Sequence, residues 1–132
     1  MEAPVELHGK VCLITGATSG IGEVTARELA RLGATVVLAG RDREKCERVV
    51  AAIRQATGNL HVEYLLADFS IQREVRALAE QFRNRHERLH VLVNNAGAVF
   101  MRRRESTDGL EMTFALNHLA YFLLTNLLLD LL

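Results

Sequence analysis

The sequence predicts an α/β fold in which a parallel, doubly wound sheet carries helices on both faces. Short apolar runs rich in β-branched residues alternate with longer segments of helical period, which is the pattern of repeated βαβ units. These runs are hydrophobic almost without interruption, as strands covered on both faces are. With 132 residues, 49% of them hydrophobic and 24% charged, the chain can form a core, and we expect one domain over residues 1–132.

Four strands and three helices can be placed in order along the chain. Each strand is one of the apolar runs, at residues 10–15, 34–39, 62–67 and 89–94. Each helix is the segment of helical period between two strands, at residues 20–32, 43–56 and 71–84. Gly33 and Gly58 stand where a glycine commonly ends a helix.

A last helix is predicted from Ser106 or Thr107, whose hydroxyls can cap it, toward the end of the chain. Its leucines occupy more than one face, so one face can pack on the sheet while another needs a second partner. That partner would be more of the sheet or another subunit. Asn117 and Asp130 would be costly in hydrocarbon, so we expect a buried helix of a soluble protein rather than a membrane segment.

The composition argues against several classes of partner. The 16 basic and 16 acidic residues cancel, so no overall field would draw the chain to nucleic acid or to an anionic membrane. The first nine residues have no apolar core, which argues against a secretory signal or an anchor there. Cys12 and Cys46 have neither metal-ligand nor disulfide-framework spacing, so we expect a reducing, cytoplasmic location.

Two charged motifs have ordinary explanations. His86 and His90 match the His-Glu-x-x-His spacing that binds zinc when both rings project from one helical face. Here the pattern continues into the predicted strand 89–94, so the rings should diverge and no metal site is predicted. The arginines at 102–104 are interpreted as a solvated turn, with a contact to an anionic substrate as the alternative.

Residues 15–22 read Thr-Gly-Ala-Thr-Ser-Gly-Ile-Gly, directly after the first strand and before the first helix. Gly16, Gly20 and Gly22 lack a Cβ where such a turn takes positive φ, approaches a phosphate or packs its helix on the strand. The helix would direct free amides and its positive dipole end at the phosphates. The motif predicts a pyrophosphate-binding turn for a dinucleotide; the alternative is a tight turn without a ligand.

Two further stretches agree with that turn. One is Asn94-Asn95-Ala96-Gly97, and the other is Asp-Gly-Leu-Glu at 108–111 followed by Asn-His-Leu-Ala-Tyr-Phe-Leu-Leu-Thr at 117–125. On these three stretches the chain resembles the N-terminal half of a short-chain dehydrogenase/reductase, and within that superfamily it is most similar to the retinol dehydrogenase-like branch. The resemblance implies a Rossmann-type sheet with strand order 3-2-1-4 that is incomplete at the C-terminus.

The resemblance also assigns roles to residues at the strand ends. Asp68 would bond the adenine amino group, with helix capping as its alternative role, and Asn94 would be mainly structural. Asn117 would join a proton path to the active-site lysine; the alternative is a core amide that bonds a neighbouring carbonyl. The predicted cofactor-binding residues are Thr15, Gly16, Thr18, Ser19, Gly20, Ile21, Gly22, Arg41, Asp68, Phe69, Asn95, Ala96 and Gly97.

The identity of the cofactor should depend on the residues after the second strand. Gly40 stands where similar NAD-dependent enzymes have an acidic residue, and Arg41 follows, so NADP(H) is favoured over NAD(H). Alternatively, Arg41 and Arg43 are solvated and Asp42 only caps the next helix. Ser19 offers no second basic group, which is a departure from many NADP-specific relatives.

The implied activity is hydride transfer between nicotinamide and an alcohol or carbonyl of an apolar substrate. Such enzymes use a serine and a Tyr-x-x-x-Lys pair, whereas Tyr64 is followed four residues later by Asp68 and Tyr121 by Thr125. We therefore interpret the chain as a cofactor-binding half and expect weak NADP(H) binding without turnover. The alternative is a non-catalytic nucleotide-binding or assembly module that pairs through the last helix.

Overall fold

In the computed structural model, which describes residues 5–132, four parallel strands form one sheet in the order β3-β2-β1-β4. The strands are β1 (Val11–Thr15), β2 (Thr35–Gly40), β3 (Val62–Leu66) and β4 (Val91–Val93). The helices are α1 (Gly20–Arg31), α2 (Arg43–Thr57), α3 (Gln72–Arg85) and the last helix (Met112–Leu131). The predicted fold class and strand order are confirmed.

Two apolar layers cover the sheet because successive strand residues point to opposite faces. Cys12 and Ile14 of β1 pack in one layer with α1 and α2, whereas Leu13 packs in the other with α3 and the last helix. Both faces of β1 and β2 are therefore buried. This burial explains why their sequences are apolar without alternation.

Local interactions determine where the middle helices begin and end. Asp42 caps α2, since its Oδ1 accepts a hydrogen bond from the Lys45 amide at 3.1 Å, and Gly58 ends α2 with a φ of 71°. At the start of α3 the Gln72 amide donates to Asp108 Oδ2 at 2.9 Å. The cap of α3 thus comes from the loop before the last helix.

The fourth strand is shorter than the predicted 89–94. At its start the Leu89 amide donates to the Leu131 carbonyl at 3.0 Å, so Leu89 is tied to the last helix rather than to β1. His90 pairs with Val11 twice, because its amide donates to the Val11 carbonyl and its ring Nδ1 accepts from the Val11 amide, each at 2.9 Å. Regular pairing with β1 is confined to residues 91–93.

The last helix does not begin at Ser106 or Thr107, so that prediction is wrong. Residues 106–110 close a turn, in which the Ser106 amide donates to the Leu110 carbonyl at 2.7 Å. Glu111 caps the helix instead, and its carboxylate accepts from the amides of Phe114 at 2.8 Å and Thr113 at 3.0 Å. These bonds stabilise the charged form and lower the pKa of Glu111.

The last helix has two different faces. Ala120, Leu124 and Leu128 are buried against the sheet and α3, whereas Phe122 and Leu129 are 64% and 58% exposed. Packing of one face on the sheet is confirmed, and the other face is exposed among the described residues; the partner predicted for it stays a prediction. By length and composition alone this helix could cross a membrane, since an 18-residue window of it has a mean hydropathy of 1.4. About 22% of that window is buried in the fold.

Candidate functional site

The glycine turn (residues 15–22) connects β1 to α1 and allows two parts of the backbone to approach closely. Gly16 has a φ of 64°, and a Cβ on it would lie 2.7 Å from Ala96 Cα. Gly22 is buried in α1, where a Cβ would overlap the Gly16 carbonyl oxygen and Asn95 Nδ2. Because real Cβ atoms do not come this close to backbone, the turn requires glycine at both positions.

Thr15 joins the glycine turn to the asparagine segment (residues 94–98). Its side chain is buried, and its hydroxyl oxygen accepts from the amides of Asn95 at 2.9 Å and Ala96 at 3.0 Å. The same hydroxyl lies 3.4 Å from the Val93 carbonyl, to which it donates. The Thr15 hydroxyl therefore bonds the framework of the site, and the cofactor contact predicted for this residue stays a prediction.

The two asparagines of the asparagine segment bond to different parts of the fold. Asn95 Nδ2 donates to the Gly16 carbonyl at 3.1 Å, so Asn95 supports the glycine turn. Asn94 Nδ2 donates to Thr125 Oγ1 of the last helix at 3.1 Å, in line with the structural role predicted for Asn94. Asn94 Oδ1 is buried and has no hydrogen-bond partner among residues 5–132.

The last helix holds the asparagine segment from the other side. Asn117 bonds to the backbone of Ala98 in both directions, because its Oδ1 accepts from the amide at 3.0 Å and its Nδ2 donates to the carbonyl at 2.8 Å. Tyr121 donates its hydroxyl to the Ala96 carbonyl, and burial raises the pKa of Tyr121. Asn117 thus bonds a backbone carbonyl, as its predicted alternative role requires, but it is only partly buried and is not a core amide. Its part in a proton path stays a prediction.

Asn117 lies in a π-helical turn, Ala115–Leu119, within the last helix. Such turns are rare and frequently occur at functional sites. With Asn117 and Tyr121 both directed at residues 96–98, this part of the helix fixes the backbone that lies against the glycine turn. One lone pair of Asn117 Oδ1 and one Nδ2 hydrogen are left over after the two bonds to Ala98.

The start of α1 can hold a phosphate group. Amides in the first turn of a helix have no carbonyl one turn earlier, and they add to the positive end of the helix dipole. Ser19 and Gly20 are exposed, and a Cβ on Gly20 would have no atom within 4 Å, so the start of α1 is open to solvent. Ile21 follows with its side chain 80% exposed. The residues present therefore fit the pyrophosphate of a dinucleotide.

The ends of β2 and β3 form the other part of the candidate site. Gly40 is the buried last residue of β2, and Arg41 after it is exposed. Asp68 Oδ1 accepts from the Ser70 amide at 2.9 Å and the Ser70 hydroxyl at 2.6 Å, which leaves the second carboxylate oxygen for another donor. The Phe69 side chain is buried in the core, so only its backbone can meet a ligand.

The histidines of the zinc-like motif and Arg43 bond to partners outside the glycine turn. His86 Nε2 lies 2.7 Å from Glu63 Oε1, while His90 pairs with Val11, so the two rings of the zinc-like motif have different partners. In residues 5–132 no three His, Cys, Asp or Glu side chains are grouped so as to hold a metal. Arg43 donates to the Tyr64 hydroxyl at 3.2 Å and lines a cavity of ≈ 570 Å³ between α2 and α3.

Sequence reasoning missed three residues that shape the site. Asp108 caps α3, Tyr121 holds Ala96, and Cys46 packs beside Gly40. The Asp-Gly pair at 108–109 is typical of a turn. No sequence pattern near Asp108 shows that its carboxylate accepts a hydrogen bond from the distant Gln72 amide. Tyr121 lies four residues after Asn117, a spacing that brings two side chains to one helical face and could have suggested a shared target.

Comparison with known proteins gives a consistent result. A family model described as short chain dehydrogenase matches residues 10–132. Human retinol dehydrogenase 11 is 48% identical over 126 residues, and human polyprenol dehydrogenase is 45% identical over 121 residues. These matches cover 96% and 92% of the chain but only 40% and 37% of the relatives, so the chain spans about two fifths of their length.

A comparison with solved structures also finds a similar fold. The NADP active-site complex of Pseudomonas aeruginosa RhlG superposes with a TM-score of 0.85 at 34% identity. The match covers 100% of this chain and 51% of that protein.

Proposed function

The chain belongs to the short chain dehydrogenase family, and we propose that it binds NADP(H) across its glycine turn as the cofactor-binding part of an oxidoreductase. The observation that carries this proposal is the contact of Gly16 and Gly22 with the asparagine segment, which leaves no room for a Cβ. The amides at the start of α1 would bind the pyrophosphate, and residues 96 and 97 would border a ribose. The bound cofactor would supply hydride chemistry.

We propose that Arg41 selects NADP(H) over NAD(H). A guanidinium at the end of β2 can pair with the 2′-phosphate in two parallel hydrogen bonds, whereas Gly40 offers no carboxylate to a free ribose hydroxyl. Arg41 is exposed and directly follows the strand, which supports this role. The NADP complex of RhlG supports NADP binding on this fold.

We propose that the substrate is an alcohol or carbonyl compound of apolar character. Two relatives that are 48% and 45% identical are named for retinol and for polyprenol respectively, which are apolar alcohols. We expect no turnover by the 132-residue chain alone, because neither tyrosine in it is followed four residues later by a lysine.

A titration of the purified chain with NADPH and with NADH, followed by nicotinamide fluorescence, tests the cofactor assignment. We expect NADPH to bind more tightly, and we expect Arg41→Ala to remove most of that difference while NADH binding is unchanged. Arg43→Ala is the matched control, since this neighbouring arginine contacts Tyr64 instead. Tighter binding of NADH, or an unchanged preference in Arg41→Ala, would overturn the assignment.

The second candidate function is a nucleotide-binding module that assembles through the last helix. The exposed Phe122 and Leu129 on one face of that helix favour it. Sedimentation of the wild-type chain and of Phe122→Glu distinguishes the two. Concentration-dependent dimers that Phe122→Glu abolishes would support a second copy of the chain on this face, and a monomer at all concentrations would exclude it.

A further inference from the structure

The backbone at Gly40 is enclosed by two side chains from different elements. A Cβ on Gly40 would lie 3.0 Å from Cys46 Sγ and 3.1 Å from Thr18 Cγ2. Non-bonded carbon contacts are most favourable at about 3.5 to 4.0 Å. A side chain at position 40 therefore overlaps with both neighbours unless they move by several tenths of an ångström.

Neither the strand nor the helix can easily provide that movement. Gly40 is in β2, which lies between β1 and β3, and its carbonyl accepts from the Ala67 amide at 2.9 Å. Cys46 is fully buried in the first turns of α2, where its amide donates to the Asp42 carbonyl at 3.0 Å. Close-packed interiors resist added volume, so a side chain at position 40 or its neighbours would have to adopt a strained conformation.

We propose that Cys46 is a specificity-determining residue of the cofactor site, whose thiol keeps position 40 free of a side chain. This inference rests on the proposed function, because position 40 is where an acidic residue would accept hydrogen bonds from an unphosphorylated ribose. Because Cys46 and Thr18 leave no room for an acidic side chain at position 40, the ribose would be recognised by Arg41 through its 2′-phosphate. Cys46 acts through position 40 and does not touch the cofactor itself.

A set of variants separates this role from general packing. Gly40→Asp introduces the carboxylate, and Gly40→Asp with Cys46→Ala introduces it after the blocking sulfur has been removed. Gly40→Asp with Cys12→Ala is the matched control, because Cys12 is as fully buried as Cys46 but is not among the atoms within 4 Å of the added Cβ. For each protein, fluorescence titration gives the ratio of the dissociation constants for NADPH and NADH.

We expect Gly40→Asp alone to change this ratio less than about threefold, and the pair with Cys46→Ala to shift it by about tenfold or more toward NADH. The control pair should behave like Gly40→Asp. An equal shift in Gly40→Asp and in both pairs would overturn the inference while leaving the proposed function intact. Failure of the wild-type chain to bind either dinucleotide would overturn the proposed function and this inference together.

Thermal unfolding of the same proteins tests the steric argument without any cofactor. Gly40→Asp should lower the Tm, and Cys46→Ala should restore part of the loss, whereas Cys12→Ala should not. If Cys46→Ala lowers the Tm of Gly40→Asp as much as Cys12→Ala does, the thiol does not close position 40 and the inference fails.

Discussion

The two parts of the candidate site are built differently. At the ends of β1 and β4, the glycine turn and the asparagine segment are joined through Thr15, Asn95 and the backbone of Gly16. At the end of β2, Gly40 is closed by packing alone, and Arg41 is free in solvent. The first part uses backbone and buried bonds, and the second uses one exposed side chain.

This difference separates binding from discrimination. A pyrophosphate is common to all nicotinamide dinucleotides, so the part that would hold it can be rigid and made of main chain. The 2′-position differs between NADP and NAD, so a side chain is the natural place to distinguish them. Substitutions in the first part should therefore change the dissociation constants of NADPH and NADH equally. Substitutions in the second part should change the ratio of the two constants.

The largest effect is expected from Gly22→Ala. The new methyl would overlap the Gly16 carbonyl oxygen, which is backbone and cannot rotate away. We expect a loss of about 3 kcal/mol in the free energy of unfolding and loss of binding for NADPH and NADH alike. Urea unfolding and fluorescence titration measure the two effects.

Gly58→Ala is the control for Gly22→Ala. A Cβ on Gly58 would meet no atom within 4 Å, so only its positive φ opposes the change. It should cost about 1 kcal/mol and leave cofactor binding unchanged. Equal losses in the two variants would contradict the close approach at Gly22.

Thr15→Val should have the next largest effect. The two side chains are similar in size, but valine cannot accept from the amides of Asn95 and Ala96, of which Ala96 is buried and Asn95 partly buried. Leaving these donors without a partner should lower the free energy of unfolding by about 2 kcal/mol and weaken the binding of both dinucleotides. Thr15→Ser keeps the oxygen and should retain most of the stability; a serine variant as unstable as the valine variant would show that the hydroxyl is not what matters.

Tyr121→Phe should have a smaller effect of the same kind. It removes one hydrogen bond to the Ala96 carbonyl and should cost about 1 kcal/mol. Because this bond holds the common part of the site, both dissociation constants should rise while their ratio stays constant. Tyr64→Phe is the control, since Tyr64 bonds Arg43 and Glu47 away from the turn. A changed ratio in Tyr121→Phe would contradict the separation of the two parts.

The smallest effect concerns pH. The amides of Phe114 and Thr113 lower the pKa of Glu111 in the folded state, so the unfolded chain binds its proton first. The contribution of Glu111 is therefore present above the ordinary glutamate pKa and is lost as the pH falls through the lowered one. Urea unfolding across this acidic range should show that Glu111→Ala is less stable than the wild type near neutral pH and that the difference shrinks in acid. A difference that does not depend on pH would exclude this cap.

Regular features of the fold were predictable from the sequence, but long-range capping was not. Uninterrupted apolar runs such as 11–14 predict buried strands, and Asp42 and Gly58 act on their own neighbours, so their roles can be derived locally. Asp108 caps a helix 36 residues earlier in the chain, and Ser106 closes a turn rather than starting a helix. Those outcomes depend on which segments the folded chain brings together.

The same limit applies to the site. The glycine spacing predicted the turn, because the absence of a Cβ at fixed intervals has a local meaning. It did not reveal that the Thr15 hydroxyl faces the asparagine segment or that Asn117 bonds Ala98, since both contacts join residues 19 or more positions apart. The cofactor contacts predicted for all of the named residues stay predictions, as does the cytoplasmic location.

The most direct test of the central claim is a titration of the ¹⁵N-labelled chain with NADP⁺, followed by amide chemical shifts. We expect the largest shifts at the amides of the glycine turn, with a second group at residues 96–98 and around Arg41. Shifts confined to the cavity between α2 and α3, or spread evenly over the chain, would contradict it.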